Sequence, residues 1–484
     1  MRRVFAIVLL CTLGLVAGAV PAFAQATGSV TGLVTDESGA VLPGVSVELT
    51  NDATGQSRTA VTESDGFYRV PLVQPGRYSV KATLSGFRTA IRQGLTVEVN
   101  GTARADLQMT VGQVEENVTV TSEAPLVETS NATMGIVIDQ EKVVDLPLNG
   151  RNFTQLGTLI PGVVAPPAGL GGQTGDATPG GFGNATGGFN VNGMRNQSNS
   201  FLMDGASNND TFNTGFVLRP PPDAIQEFKI LTHSFGAEYG RNAGSVVNVV
   251  TRSGTNQVKG GLWEFNRDDS LQARNFFAPA NQPKPVLQQH QFGAVLGGPL
   301  VKNTLFAFGF YEGFRNKSGI TQTLTVPTDA QRQGNFGSTT IRDPLTGLPF
   351  PGNTIPASRI SPVSAKLLSE FMPTANVGAN RYTVSPTVQD DRDQFGLRFD
   401  HRFNDRHSLL ARYMFSQTER LTPRTVQPVD QVATARLQDV MGSHTFILKP
   451  NQINVLRASF NRIYANPAVT SGLKNSAYGI GFGN

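Results

Sequence analysis

The sequence predicts a mainly β chain built in three parts: a compact β-sandwich, a mixed α/β region, and the first strands of a transmembrane antiparallel β-barrel. Three observations carry that prediction. Between Thr27 and about Val111, short alternating segments recur about every 8–12 residues with turn signals between them. Further on, Val246, Val247, Val249 and Val250 make a β-branched run flanked by Gly240, Gly244 and Gly254. After Asn256 the alternating segments lengthen, and short turns alternate with long connections.

The N-terminus reads as an export leader. Arg2 and Arg3 precede an apolar run from Val4 to Ala19, and Ala22-Phe23-Ala24 supplies a small-x-small cleavage site, so residues 1–24 are expected to be removed before Gln25. The run is short against the about 20 apolar residues that a helical span needs, and Pro21 breaks it. Leu10 before Cys11 is too large for a lipoprotein site. Cys11 is the only cysteine and leaves with the leader, so the mature chain is expected to have no disulfide or thiol chemistry. The net charge of +4 falls to +2 without Arg2 and Arg3, and no run of basic residues offers a nucleic-acid footprint. No later segment is apolar for the about 18 residues of a membrane helix.

In the first part the segments Ser29–Thr35, Val45–Thr50, Gly66–Val70, Tyr78–Ala82 and Leu95–Val99 are the expected strands. Turns are expected at Asp36–Gly39, Pro43-Gly44, Asp65-Gly66 and Pro75-Gly76. Gly32–Val34, Gly39, Pro43–Val45 and Ser64–Tyr68 resemble the carboxypeptidase regulatory-like domain, which implies a transthyretin-like sandwich over 25–111. No His-x-x-Glu pair occurs, so the zinc site of a carboxypeptidase is absent from the sequence.

Two blocks, Phe189–Gly205 and Asp223–Phe228 continuing through Glu238–Gly254, together resemble the plug domain of TonB-dependent outer-membrane receptors. The first contains an Asp204-Gly205 turn. The second leads through Tyr239-Gly240 and Ala243-Gly244 into the valine strand, with its glycines expected to supply positive-φ turns. Asp145–Phe153 and Leu159–Val163 resemble a block common in long receptors of this kind, which places the plug over 128–256. Residues 165–188 are a Gly/Pro/Ala-rich loop, read either as a ligand-facing plug loop or as a solvated connector.

Between sandwich and plug, residues 112–127 are polar and extended. Val118, Thr119, Val120 and Thr121 resemble the TonB box, which implies pairing with TonB and its inner-membrane energising complex. An exposed β-prone strand suits main-chain addition to a partner sheet. A last strand of the sandwich and a plain linker are the other readings.

From 257 to 484 the alternating segments are Trp263/Phe265, Phe306/Phe308/Phe310, Phe395/Leu397/Phe399, Leu409/Ala411/Tyr413/Phe415 and Leu456/Ala458/Phe460. Apolar-out, polar-in segments of about ten residues mark an outer-membrane barrel. Short turns at Lys302-Asn303, Asn404-Asp405 and Pro450-Asn451 alternate with connections at 268–289, 315–391 and 420–435. About seven strands are expected before Tyr464, against about 22 in plugged transporters, so the barrel is expected to lack its later strands.

No catalytic constellation, cofactor site or metal site emerges. His233, His290, His401, His407 and His444 are scattered, with His401 and His407 flanking an expected turn. Asp390, Asp391 and Asp393 lack a calcium-loop pattern and are expected at a solvated loop edge. Arg195, Asp204, Glu238, Arg241 and Arg252 in the plug blocks are expected to form ion pairs if enclosed. The resemblance implies a receptor embedded in outer-membrane lipid that takes up a siderophore, glycan or peptide. The alternative is an adhesion or structural surface protein on the same scaffold. A periplasmic enzyme is disfavoured.

Overall fold

A computed structural model describes residues 26–112, 117–120, 134–165, 189–210, 215–236, 238–240, 242–274, 284–319, 321–423, 430–449 and 452–470. The leader and its cleavage site, Thr121, Arg241, the turn at Pro450-Asn451 and nearly all of the loop at 165–188 lie outside the described residues.

The sandwich comprises β1 (Gly28–Asp36), β2 (Ser46–Asn51), β3 (Ser57–Val61), β4 (Phe67–Val73), β5 (Gly76–Thr83), β6 (Thr89–Val97), β7 (Thr102–Arg104), β8 (Leu107–Met109) and β9 (Asn117–Val120). One sheet runs β4-β1-β7, with β8 also on β1; the facing sheet runs β3-β2-β5-β6-β9. Alternate residues meet in the core, among them Val30, Val34, Val47, Leu49, Tyr68, Val80 and Val97. The expected turns are in place. The Asp36 carboxylate accepts from the Ser38 and Ala40 amides, each at 2.9 Å, and Gly39 and Gly66 take φ of 86° and 74°.

The plug is a five-stranded mixed sheet, β10-β15-β16-β13-β14. Its elements are β10 (Met134–Asp139), helix α1 (Gln140–Asp145), the short pair β11 (Val163–Val164) and β12 (Asn190–Val191), β13 (Ser200–Met203), β14 (Ala206–Ser207), β15 (Ile225–His233) and β16 (Val246–Thr251). Asp139 caps α1 by accepting from the Lys142 amide at 2.9 Å. Every residue of β16 is buried, as expected of a valine run between two neighbours. One face of the sheet packs Phe228, Ile230, Val247 and Val249 on Phe153, Leu156 and Phe201.

The glycines around β16 work differently from the expectation. None of Gly240, Gly244 and Gly254 is among the positive-φ residues. A Cβ on Gly244 would sit 2.6 Å from Asn199 Oδ1, and one on Gly254 would sit 2.5 Å from the carbonyl oxygens of Gly298 and Ala307. Close approach, of the Asn199 side chain at Gly244 and of strand backbone at Gly254, rather than a left-handed turn, requires glycine at these two positions.

The barrel part is one antiparallel sheet of seven described strands in sequence order: β17 (Lys259–Asp268), β18 (Leu287–Val301), β19 (Leu305–Gly319), β22 (Thr387–Arg402), β23 (His407–Thr422), β24 (Asp430–Lys449) and β25 (Gln452–Thr470). A separate hairpin, β20 (Gln322–Thr325) with β21 (Arg381–Val384), carries helices α2 (Asp329–Arg332) and α3 (Pro362–Phe371) between its arms, inside the long connection after β19. The sheet is open, with β17 and β25 at its two edges. The turns after β18 and β22 are short and the connections after β17 and β19 are long, whereas the connection expected at 420–435 shrinks to 423–429 because β23 runs to Thr422 and β24 begins at Asp430.

Two expectations need correction here. Asp390, Asp391 and Asp393 stand inside β22, not on a loop edge. The strand extends past the predicted boundary because its backbone ladder with β19 continues to Gly319 opposite Thr387; beside it Arg315 forks onto Asp393 at 2.8 and 2.9 Å and Tyr311 donates to the same carboxylate at 2.6 Å. The apolar-out rule also fails on the first strands. Phe306, Phe308 and Phe310 are buried on the inner face with Val295, and Trp263 packs there too, while Leu262 and Leu296 face outward. On β22 the rule holds, with Phe395, Leu397 and Phe399 exposed and Arg398 and Asp400 inside. The lumen is filled by the plug, so an inward aromatic meets protein rather than water.

Candidate functional site

The plug meets the barrel wall at the Asp204-Gly205 turn. This two-residue loop joins β13 to β14, with φ of 49° at Asp204 and 76° at Gly205. Two left-handed residues in succession are what Asp-Gly supplies best in a tight hairpin. The turn aims the Asp204 carboxylate at the inner faces of β22 and β23. There it accepts from Arg398 Nη1 at 3.1 Å and from Arg412 Nη1, while the Thr251 amide and hydroxyl donate at 2.9 and 2.8 Å. Arg398 also forks onto Asp400 at 2.8 and 2.9 Å and donates to the Thr251 carbonyl at 2.7 Å. Arg412 reaches Asp439 on β24 at 2.6 Å. Burial alone would raise the Asp204 carboxyl. The two guanidiniums and the Thr251 donors outweigh it and hold the carboxyl below its ordinary range. Two arginines facing three aspartates make a paired network, which is how buried charges persist.

Around the network the contact spreads. Arg457 on β25 donates to the Gly205 carbonyl and Asn461 to the Ser207 carbonyl, both at 2.8 Å. Met203, Val217, Leu218 and Ala224 of the plug pack on Phe308, Phe310, Met414 and Leu437 of the wall. Arg252 donates to the Asp223 carbonyl at 3.0 Å and lies over the Phe308 ring at 5.3 Å. Arg151 pairs with Asp223 and stacks 4.5 Å from the Phe265 ring centre.

Of the plug charges singled out in the sequence, Asp204 and Arg252 join the interface, whereas Arg195 and Glu238 are exposed. Arg151 was missed. It lies in the Asp145–Phe153 block, and its position after Gly150, with φ of 64° and 53° for the two residues, is a turn signal that marked it. His401 and His407 do flank the β22–β23 turn, and the His407 ring stacks at 5.3 Å on His444. Among the described residues, no group of three or more His, Cys, Asp or Glu could hold a metal ion.

Asn117–Val120 forms β9, which pairs in parallel with β6: Ala90 opposite Val118, Ile91 opposite Thr119 and Arg92 opposite Val120. It is the last strand of its sheet, and its outer edge meets no described strand.

Comparisons with known proteins agree with this architecture. Residues 29–110 match the carboxypeptidase regulatory-like domain, 128–247 the TonB-dependent receptor plug domain and 250–484 an outer membrane beta barrel domain. The TonB-dependent transporter Oar of Myxococcus xanthus is 28% identical over 318 residues, covering 63% of this chain and 28% of its own length. This chain therefore spans little more than a quarter of that relative. Solved structures with a similar course include the outer membrane transporter YddB from Escherichia coli, at 11% identity over 68% of this chain and 39% of that one, with a TM-score of 0.44. Another is the siderophore receptor PirA from Acinetobacter baumannii, at 15% identity over 70% of this chain and 49% of that one, with a TM-score of 0.34. The seven long strands are outer-membrane strands, and the polypeptide is an outer-membrane protein. With sandwich, plug and barrel strands in this order, the chain belongs to the TonB-dependent outer-membrane receptors that carry an N-terminal carboxypeptidase regulatory-like domain.

Proposed function

We propose that this chain is the N-terminal portion of a receptor that takes up a ligand across the outer membrane, with TonB supplying the energy. In this reading residues 1–24 are the leader, 25–111 the body of the sandwich, 112–127 a connector whose Asn117–Val120 returns to the sandwich as its edge strand, 128–256 the plug, and 257 onward the barrel. The supporting observation is the plug held against the barrel wall by the Asp204 network, in a chain whose sandwich ends on a strand with an outer edge that meets no described strand.

TonB would add a strand to that segment through main-chain hydrogen bonds. The ligand class stays open among siderophore, glycan and peptide. Cysteine placed at Thr119 in the mature chain, which otherwise has none after loss of Cys11, should form a disulfide in cells with a cysteine-bearing TonB. No cross-link at Thr119, with a positive control formed elsewhere in the chain, would count against the reading.

A further inference from the structure

The turn between β6 and β7, Glu98–Gly101, leaves the sandwich and lies on the face of the plug sheet opposite the Phe228 core. Five plug residues answer it. Val99 donates its amide to Glu227 Oε1 at 2.5 Å and packs with Ala26 against Val250. Asn100 has a φ of 53°, which turns its polar groups toward the plug. Its carbonyl accepts from Lys229 Nζ at 3.2 Å, its side-chain oxygen accepts from Asn248 at 2.7 Å, and its side-chain nitrogen donates to the Tyr239 hydroxyl. Glu227, Lys229 and Asn248 are buried polar residues on two central strands. A plug folded alone would present them to solvent, and the turn gives each of them a partner.

We propose that the sandwich is a detachable latch on the plug, fastened by the Asn100 turn and loosened when Glu227 ionises. The reading does not depend on TonB pairing. Beside the turn a cleft of about 590 Å3 is lined by Arg77 and Thr96 of the sandwich and by Asp139, Glu141, Asp145 and Glu227 of the plug. Glu227 is thus faced by Glu98 and Arg77 from the sandwich, by Asp139 with its partner Lys142, by Glu141 and Asp145 on α1, and by Lys229 on its own strand. Carboxylates outnumber cations around it.

Burial first, then the charges of Glu98 and Asp139, push the Glu227 carboxyl up to about 7 from 4.5 when the latch is fastened. The sign follows from linkage. A carboxyl whose value is raised on docking favours docking where it is protonated, so the latch is tightest below 4.5 and weakens as pH rises to about 7. The docked-to-open ratio should fall on the order of a hundredfold across that window.

Hydrogen exchange of the Val99 amide in the full chain tests this. Its protection, corrected for the intrinsic pH dependence of exchange, should drop on the order of a hundredfold from about pH 4.5 to about pH 7.5. Glu227→Gln, which can still accept from Val99, should stay protected at both. Asn100→Ala should lose protection at both while the β5 amide of Val80 keeps its own, which shows the sandwich folded. Equal protection of Val99 across the window in the unmodified chain, or the same fall in Glu227→Gln, would overturn the pH dependence. Unchanged protection of Val99 in Asn100→Ala would overturn the latch.

Discussion

Arg398 of the barrel wall donates to the Asp204 carboxylate of the plug at 3.1 Å, across 194 residues of sequence and inside a fully buried network. Removing the carboxylate leaves Arg398 and Arg412 facing one another with only Asp400 and Asp439 to answer them. Each arginine keeps an aspartate, but the buried Thr251 amide and hydroxyl lose their acceptor, so Asp204→Ala is expected to cost about 1–3 kcal/mol of plug–barrel stability. Urea unfolding of the chain in detergent, followed by proteolysis of the plug, would read it. Because the Asp204 carboxyl is held below its ordinary 3.8, its stabilisation is fully present above that value and is lost only as pH falls beneath it. The network should therefore survive at about pH 5 and fail in stronger acid.

Gly254 marks the handover from plug to barrel. Its missing side chain allows contact with the carbonyls of Gly298 and Ala307, where a Cβ would sit 2.5 Å away. Both obstacles are strand backbone, which cannot swing aside. Gly254→Ala is expected to destabilise by about 1–3 kcal/mol, the usual cost of overpacking. Gly240→Ala, with nothing within 4 Å of the added carbon, should be nearly neutral by the same unfolding assay.

The contrast between these glycines shows what the sequence could carry. Strand positions, the Asp-Gly turn, the short turns after β18 and β22 and the long connections after β17 and β19 were legible, because period and turn chemistry are local properties. The inward face of Phe306, Phe308 and Phe310 was not. Alternation says that two faces differ, and only the presence of a plug in the lumen says which one is buried. The length of β22 was set by its backbone pairing with β19, with Gly319 opposite Thr387, beyond the reach of any window. Asn100 drew no notice in the sequence, because its partners Lys229 and Asn248 stand against it only in the fold.

Export is testable apart from the fold. Arg2-Arg3, the apolar run and Ala22-Phe23-Ala24 predict that material recovered from the cell envelope begins at Gln25. N-terminal sequencing would show it. Retention of Met1 on exported protein would contradict it.

The open sheet leads to a prediction about residues 25–484 expressed by themselves. β17 and β25 each present an edge that meets no described strand, and in lipid every unsatisfied backbone group costs several kcal/mol. This stretch is expected to give no heat-modifiable, protease-resistant pore. Ion conductance from it in a planar bilayer would show that seven strands close in some other way.

TonB binding by the segment beginning at Val118 is the central claim, and a pull-down with the periplasmic domain of TonB tests it most directly. Val120→Pro removes a backbone donor from β9, whereas Thr119→Ser keeps the main chain intact. The account predicts that the unmodified chain and Thr119→Ser are retained about equally, and that Val120→Pro is lost from the bound fraction. Equal retention of all three, or retention of none, would contradict strand addition at this segment.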